Sequence, residues 1–107
     1  MINLENKVAI IPGGATLIGR KVTLEFIRAG ARVTVCDIDA AGGSELEQEA
    51  GDALKFIHAD ITDDAQIDAA IQQTLDHWGG IDYLVNVAYT YLDNGIASTL
   101  TLSLIHI

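Results

Sequence analysis

Residues 7–21 read KVAIIPGGATLIGRK, and this stretch decides the fold. Its first five residues, Lys7 to Ile11, form a short apolar run rich in β-branched side chains, which is typical of a buried strand. Residues 12–14, Pro-Gly-Gly, break that run as a tight turn does. From Ile18 onward apolar residues recur at helical spacing until Gly30, which favours a helix that ends there. The stretch therefore predicts a strand, a glycine turn and a helix in direct succession.

The rest of the chain repeats this alternation of strand and helix. The predicted elements are a strand over Ala31–Cys36, a short helix over Ser44–Ala50, a strand over Leu54–His58, a helix from its N-cap Asp63 to Trp78, and a strand over Ile81–Val87. Strands that alternate with helices predict an α/β fold with a doubly wound, Rossmann-like parallel sheet and right-handed crossovers. Because the pattern fades after Ala88, we expect only the N-terminal half of such a sheet in these 107 residues.

Composition and charge exclude several classes of protein. Half of the 107 residues are apolar and a fifth are charged, which is ordinary for one globular domain and too apolar for a disordered chain. Fifteen acidic against six basic residues give a net charge of −9, which argues against nucleic acid or an anionic membrane as a partner. Five of the six basic residues lie within residues 1–32. An anionic ligand is therefore expected near that end of the chain.

The cysteine and histidine content gives further expectations. Cys36 is the single cysteine and cannot form an internal disulfide, so no oxidising compartment is implied. No apolar stretch approaches the length of a membrane span, and the first residues lack the pattern of a secretion signal. We therefore expect a cytoplasmic protein. Cys36 is expected to be a small buried side chain and not a reactive thiol, and the histidines lack the spacing of metal ligands.

The glycine turn lies where parallel α/β folds bind phosphate. Glycines let the backbone between Gly13 and Gly19 turn sharply and approach a pyrophosphate, which the free N–H groups at the start of the helix then face. Arg20 and Lys21 add positive charge nearby. Asp37 closes the second strand, where a carboxylate accepts both hydroxyls of an adenosine ribose and repels a 2′-phosphate. The arrangement predicts a site for NAD, with NADP less favoured.

Two other interpretations of the glycine turn stay open at this point. The gap between Gly14 and Gly19 also suits the P-loop of an NTPase, whose motif continues with lysine and then serine or threonine. Arg20 and Lys21 stand at those two positions, so the motif's hydroxyl ligand for Mg²⁺ is missing. A purely structural turn is the second alternative.

The landmarks in this order resemble those of the short-chain dehydrogenase/reductase (SDR) family over roughly residues 4–98. The family turn T-G-x-x-x-G-[IL]-G is similar to residues 12–19, PGGATLIG, in which Leu17 stands at the middle glycine. The family's aspartate after the third strand corresponds to Asp60, and its N-N-A-G after the fourth is similar to residues 86–89, NVAY. A longer, epimerase-like branch of the family would have its middle glycine at Thr16, and the segment NVA favours the shorter branch.

By this resemblance the chain is the cofactor-binding part of an oxidoreductase that transfers hydride between a nicotinamide cofactor and a small alcohol or carbonyl substrate. We expect the full-length protein to be a homo-oligomer. The residues that the resemblance implies in cofactor binding are Gly13, Ile18 and Gly19 at the pyrophosphate, with Thr16 and Leu17 completing the loop, Asp37 at the adenosine ribose, Asp60 and Ile61 at the adenine, and Asn86 and Ala88 towards the nicotinamide.

The catalytic residues of the family have no counterpart in this sequence. Family members use a tyrosine, a lysine four residues later and an upstream serine. The lysines here are Lys7, Lys21 and Lys55, and none has a tyrosine four residues before it. We therefore assign no catalytic residue, expect the chain alone to be inactive, and expect the reaction centre beyond residue 107. The alternative function is a non-catalytic dinucleotide-binding or sensor module.

The end of the sequence predicts a boundary. We assign residues 1–98 to a partial NAD(P)-binding Rossmann domain and residues 99–107 to an uncertain tail. The last six residues, LSLIHI at 102–107, are encoded by CTGTCTCTTATACACATC, which resembles the transposase mosaic end used to prepare sequencing libraries. We predict that residues 102–107 are a sequencing-adapter artefact and that the chain is a fragment, which leaves the fourth strand as an exposed sheet edge. A short genuine strand is the alternative.

Overall fold

A central sheet with helices on both faces organises the chain. The computed structural model describes residues 3–15, 17–87 and 101–104. A single turn of 3₁₀-helix, Gly51–Ala53, follows the second helix. The helices and strands in chain order are β1 (Val8–Pro12), α1 (Leu17–Arg28), β2 (Arg32–Asp37), α2 (Ala40–Ala50), β3 (Leu54–His58), α3 (Asp64–Trp78), β4 (Tyr83–Asn86) and β5 (Thr101–Leu104).

The strand order creates a switch point beside β1. Within the described ranges the sheet has the order β3-β2-β1-β4-β5. β1 pairs in parallel with both β2 and β4, and β2 pairs in parallel with β3. The chain thus winds outward from β1 through β2 to β3 and then crosses to β4 on the other side of β1. This confirms the predicted doubly wound α/β sheet, whose ligands bind at the carboxyl ends of the strands where the winding reverses.

Alternate residues of the inner strands form two separate cores. Side chains one apart on a strand point to opposite faces of the sheet. One face forms a cluster with the buried Leu46 of α2, and the other forms a cluster with Ala70 of α3. The buried strand residues of the first cluster include Ala9, Ile11, Val33 and Val35, and those of the second include Ile10 and Cys36. Burial on both faces explains the continuous apolar runs in these strands.

The second helix begins earlier than the sequence predicts. We predicted that it starts at Ser44, directly after two adjacent glycines, a residue that disfavours the interior of a helix. The structure begins α2 four residues sooner, after Asp39, whose carboxylate accepts a hydrogen bond from the Gly42 amide at 2.9 Å. A Cβ at Gly43 would lie 2.2 Å from the ring of Phe56. The glycine therefore lets α2 pack closely on β3, and its role is packing rather than termination.

The third helix confirms its predicted limits. The Asp63 side chain caps its first turn, and Gly79 ends it in the left-handed conformation with φ +83°. A buried hydroxyl pair connects α3 to the sheet, since the Oγ1 of Thr74 lies 2.8 Å from that of Thr34 and 2.8 Å from the Ala70 carbonyl oxygen. No helix within the described residues has both the length and the apolar character needed to cross a membrane.

The far edge of β4 differs from the expectation. Truncation was expected to leave β4 exposed, but β5 pairs with it in antiparallel orientation, with Tyr83 opposite Leu104 and Asn86 opposite Thr101. An unpaired strand presents free N–H and C=O groups, which a second extended segment satisfies. The expectation of an exposed β4 edge is therefore wrong. The adapter origin of residues 102–107 stays a prediction.

Candidate functional site

The candidate site lies at the carboxyl ends of β1, β2 and β4. The loop after β1 leads into α1, and β4 ends next to it. The Val87 amide donates a hydrogen bond to the Pro12 carbonyl oxygen at 3.3 Å, so the end of β4 is held against the start of the loop. The glycine turn predicted from the sequence thus lies at the switch point of the sheet, which is the usual ligand position in this fold.

Three hydrogen bonds hold Gly13 and Gly14 in the glycine turn. Gly13 adopts φ +78°, in the left-handed region that favours glycine, and its amide donates to the Cys36 carbonyl oxygen at 2.7 Å. The Gly14 amide donates to the Ile11 carbonyl oxygen at 3.2 Å. The Gly14 carbonyl oxygen in turn accepts from the buried hydroxyl of Thr23 at 3.1 Å. Thr23 was missed in the sequence, although a polar residue on the inner face of an apolar helix was the available signal.

Gly19 lets α1 pack against the turn without a side chain between them. A Cβ at this position would lie 2.1 Å from the Gly13 carbonyl oxygen and 2.8 Å from Cγ2 of Val87. No real Cβ atom approaches a backbone oxygen so closely, so only glycine permits this packing. The first amides of α1 are thereby set directly beside the turn, as a dinucleotide pyrophosphate requires. The residues present therefore fit a dinucleotide.

The start of α1 exposes two apolar side chains. Leu17 is 72% exposed and Ile18 is 57% exposed, and Ile38, which directly follows β2, is 67% exposed. Where the structure describes burial, at residues 3–15 and 17–87, these three are the large hydrophobic residues that stand exposed, and they follow the carboxyl ends of β1 and β2. Apolar surface gathered at one place often marks a ligand surface.

Asp37 is a buried carboxylate fixed by backbone amides. Its Oδ2 accepts a hydrogen bond from Ala15 of the glycine turn at 3.2 Å, and its Oδ1 accepts from Asp39 at 3.0 Å. Only 8% of the residue remains exposed. Each carboxylate oxygen can accept more than one hydrogen bond, so both retain capacity for a ligand. The structure therefore joins the two halves of the predicted site, the turn and the acid after β2, through one hydrogen bond.

Asp60 and Ile61 follow β3 at the same edge of the sheet. The Oδ1 of Asp60 accepts from the Thr62 amide at 2.9 Å and from its hydroxyl at 2.6 Å. These bonds hold the pKa of the exposed Asp60 carboxyl below its ordinary value. Ile61 is partly buried and packs on the core cluster beneath α3. Both residues are thus fixed by contacts within the protein.

Three further residues were predicted to bind the cofactor. Asn86 ends β4 and is partly buried. Thr16 and Ala88, both predicted to bind the cofactor, lie outside the described residues.

Arg20 and Lys21 were expected to add positive charge beside the turn, but Arg20 is paired with acidic residues. Arg20 pairs with Glu49 of α2 and lies 3.5 Å from Glu45 of the same helix. Its charge is therefore already offset by carboxylates, while Lys21 is exposed. Attraction for an anion at this site rests mainly on the backbone amides of α1 and the turn. Sequence position alone showed that Arg20 was near the turn but not that α2 supplied its partners.

Cys36 is a buried thiol, as expected. Burial, reinforced by the neighbouring Asp37 charge, raises the pKa of its thiol from 9.0 to about 12. A thiol with so high a pKa forms almost no nucleophilic thiolate at neutral pH. Its carbonyl group, which accepts from Gly13, contributes more to the site than its sulfur does.

Comparison with known proteins points to one family. The sequence model of the family described as short chain dehydrogenase matches residues 7–103. A sorbitol dehydrogenase of Cereibacter sphaeroides is 41% identical over 87 residues, and a galactitol 2-dehydrogenase of Agrobacterium fabrum is 42% identical over 87 residues. Each match covers 81% of this chain and 34% of the relative. The chain thus spans about a third of the length of the curated relatives it matches.

A solved structure shows the same fold. The crystal structure of a 3-ketoacyl-(acyl-carrier-protein) reductase from Brucella melitensis, complexed with NADH, superposes with a TM-score of 0.74 at 38% identity. The match covers 77% of this chain and 34% of that one.

Substitution of Gly19 tests the close packing of the turn. Gly19→Ala places a Cβ against the Gly13 carbonyl oxygen, so the turn must move, and we expect a loss of about 2–4 kcal/mol in the free energy of unfolding together with loss of NADH binding. Gly51→Ala is the matched control, because a Cβ there meets nothing within 4 Å and only the positive φ of +68° disfavours it. It should cost about 1 kcal/mol and leave binding intact. Urea unfolding and fluorescence titration measure both, and equal effects of the two variants would contradict the assigned role.

The raised pKa of Cys36 predicts a pH dependence of stability. Because the folded protein disfavours the thiolate, this contribution to stability is complete below the unfolded pKa of 9.0 and is lost as the pH rises from there towards about 12. Between about pH 8 and about pH 10.5 the unmutated protein should therefore lose more unfolding free energy than Cys36→Ala does. Urea unfolding at both pH values gives the difference. A Cys36→Ala variant that declines in parallel with the unmutated protein would show that the thiol ionises freely.

Proposed function

Because the chain belongs to the short-chain dehydrogenase family, we propose that it forms the NAD-binding part of an oxidoreductase that acts on a small alcohol or carbonyl substrate. When bound, the nicotinamide supplies or accepts the hydride. The residues of this chain bind and orient the cofactor and contribute no catalytic group. In this proposal residues 1–98 are a partial NAD(P)-binding Rossmann domain, and residues 99–107 are a tail whose last six residues come from an adapter.

The single observation that carries the proposal is the position of Asp37. Its carboxylate is buried, is held by the Ala15 and Asp39 amides, and stands at the end of β2 beside the glycine turn. A ribose with free 2′- and 3′-hydroxyls can donate to such a carboxylate, whereas a 2′-phosphate meets a like charge in a poorly solvated place. Position 38, which follows it, is isoleucine and offers no positive charge to a phosphate. NAD is therefore favoured over NADP.

The remaining contacts are assigned along the length of the cofactor. The amides at the start of α1 bind the pyrophosphate, with Gly13, Ile18 and Gly19 forming the cradle and Thr16 and Leu17 completing the loop. Their support is the packing at Gly19, which brings helix and turn together. The adenine lies near Asp60 and Ile61, and the exposed Ile38 offers it an apolar surface. Asn86 and Ala88 line the path towards the nicotinamide.

The class of substrate is proposed from the relatives. Two are named as dehydrogenases of sorbitol and galactitol, and the solved neighbour is named as a reductase of a 3-ketoacyl group. Oxidation of an alcohol and reduction of a ketone are the two directions of one hydride transfer. The proposal also includes a homo-oligomeric full-length protein that is located in the cytoplasm. The cytoplasmic location is supported by Cys36, which is the single cysteine and is buried.

A second candidate is a dinucleotide-binding sensor module without catalysis. The glycine turn and Asp37 offer a dinucleotide site, and a sensor needs no catalytic group besides it. Both candidates share the NAD site, so cofactor binding alone does not separate them.

Cofactor titration tests the ribose assignment. In the complete gene product, NADH should bind at least about tenfold more tightly than NADPH, and Asp37→Ala should reduce that ratio severalfold because the like-charge repulsion is gone. Asp68→Ala removes the same charge from the exposed surface of α3 and should leave the ratio unchanged. Fluorescence titration with both reduced cofactors supplies the ratios. Tighter binding of NADPH by the unmutated protein would refute the assignment.

The uninterrupted gene separates the enzyme from the sensor. Sequencing source DNA outward from the codons for Asn86 should show a reading frame that departs from this chain at or before Leu102 and encodes a serine and a Tyr-x-x-x-Lys. The expressed product should then oxidise members of a panel of alcohols with NAD, while this 107-residue chain alone should not. A stop codon directly after Ile107 in unfragmented DNA would favour the sensor instead.

A further inference from the structure

Leu17 combines three properties that rarely occur together. It is a large apolar residue, it is 72% exposed, and its backbone adopts φ +49° in the left-handed region. A leucine in that conformation is uncommon, because its Cβ crowds the backbone. Exposure of this degree means that little packing energy compensates the strain. Neither local geometry nor the hydrophobic core therefore favours leucine at this position.

The position of Leu17 makes its side chain consequential. It is the first residue of α1, between the turn at Gly13 and the tight packing at Gly19. The amides proposed to bind the pyrophosphate belong to this first turn of the helix, and phosphate oxygens must come within about 3 Å of their nitrogens. A pyrophosphate that binds there has to displace the exposed four-carbon side chain of the same turn or bury it against a double charge. Either event weakens binding, since phosphate loses water without gaining a polar partner.

We propose that Leu17 is a gating residue of this site, whose side chain limits the affinity for the pyrophosphate of a dinucleotide. The inference rests on the proposed NAD site and goes beyond it, since it assigns to one residue of the loop an effect on how tightly that site binds. Glycine at position 17 would adopt φ +49° without strain and would leave the amides open. Alanine would keep the backbone strain and remove most of the bulk. The two substitutions therefore separate the side chain from the backbone.

The experiment compares four proteins, each as the complete gene product. They are the unmutated protein, Leu17→Ala, Leu17→Gly and the control Asn6→Gly. Asn6 also has a positive φ, +66°, but precedes β1 at the opposite end of that strand from the turn. Titration calorimetry measures the Kd for NADH and, separately, for adenosine, which has no phosphate. Thermal melting without ligand verifies that each variant folds.

Obstruction by the side chain predicts a specific pattern. Leu17→Ala and Leu17→Gly should each bind NADH at least about tenfold more tightly than the unmutated protein. Adenosine should bind all four proteins equally, and Asn6→Gly should match the unmutated protein for both ligands. If the Leu17 side chain affected only the stability of the fold, its removal would change the melting temperature. It would not tighten the binding of NADH while leaving the binding of adenosine unchanged.

Two results would overturn the inference in different ways. If the unmutated protein binds NADH and Leu17→Ala binds it no more tightly, the side chain is not the limit and the NAD site itself still stands. If all four folded proteins fail to bind NADH at millimolar concentration, the proposed NAD site fails and this inference fails with it. Should Leu17→Ala fail to fold, the Kd values of Leu17→Gly for NADH and for adenosine test the inference in its place.

Discussion

The contact between α1 and the glycine turn is the constraint on which the rest of the site depends. With hydrogen as its side chain, Gly19 lets the helix approach the Gly13 carbonyl oxygen to a distance at which a Cβ would lie 2.1 Å away. That approach sets the first turn of α1 at the carboxyl end of β1, next to the end of β4. The buried Thr23 hydroxyl of α1 then donates a hydrogen bond to the Gly14 carbonyl oxygen of the turn. The Ala15 amide of the turn donates to the Asp37 carboxylate. Without this close contact, the first turn of α1 would move away from the glycine turn and from Asp37.

The electrostatics of the site follow from the backbone more than from charged side chains. The chain has a net charge of −9, and Arg20 beside the turn is occupied by the carboxylates of Glu45 and Glu49. Oriented amides at a helix start attract an anion without adding a mobile cation. Such a site distinguishes ligands by geometry. In the proposed function Asp37 selects among nucleotides by repelling a 2′-phosphate, and in our further proposal Leu17 limits how tightly the pyrophosphate binds.

The sequence predicted the order of elements and most of their limits, because buried strands and amphipathic helices leave strong periodic patterns. The sequence placed the start of α2 too late. Glycine usually disfavours a helix interior, but Gly43 lies within α2 because the ring of Phe56 packs directly against it. The sequence predicted Asp37 at the end of β2 but not its two amide donors. The hydrogen-bond partner of Thr23 and the ion-pair partners of Arg20 depend on contacts between elements, which no local pattern encodes. The antiparallel pairing of β5 with β4 belongs to the same class of long-range contact.

In the proposed function Asp37 binds the ribose, and the start of α1 binds the pyrophosphate, of one adenosine diphosphate moiety. The most direct measurement is a crystal structure of the complete gene product with NADH bound. We expect the ribose hydroxyl oxygens within about 3.2 Å of the Asp37 carboxylate and the pyrophosphate oxygens within the same distance of amides in the first turn of α1. A cofactor that binds elsewhere, or whose ribose lies away from Asp37, would contradict it.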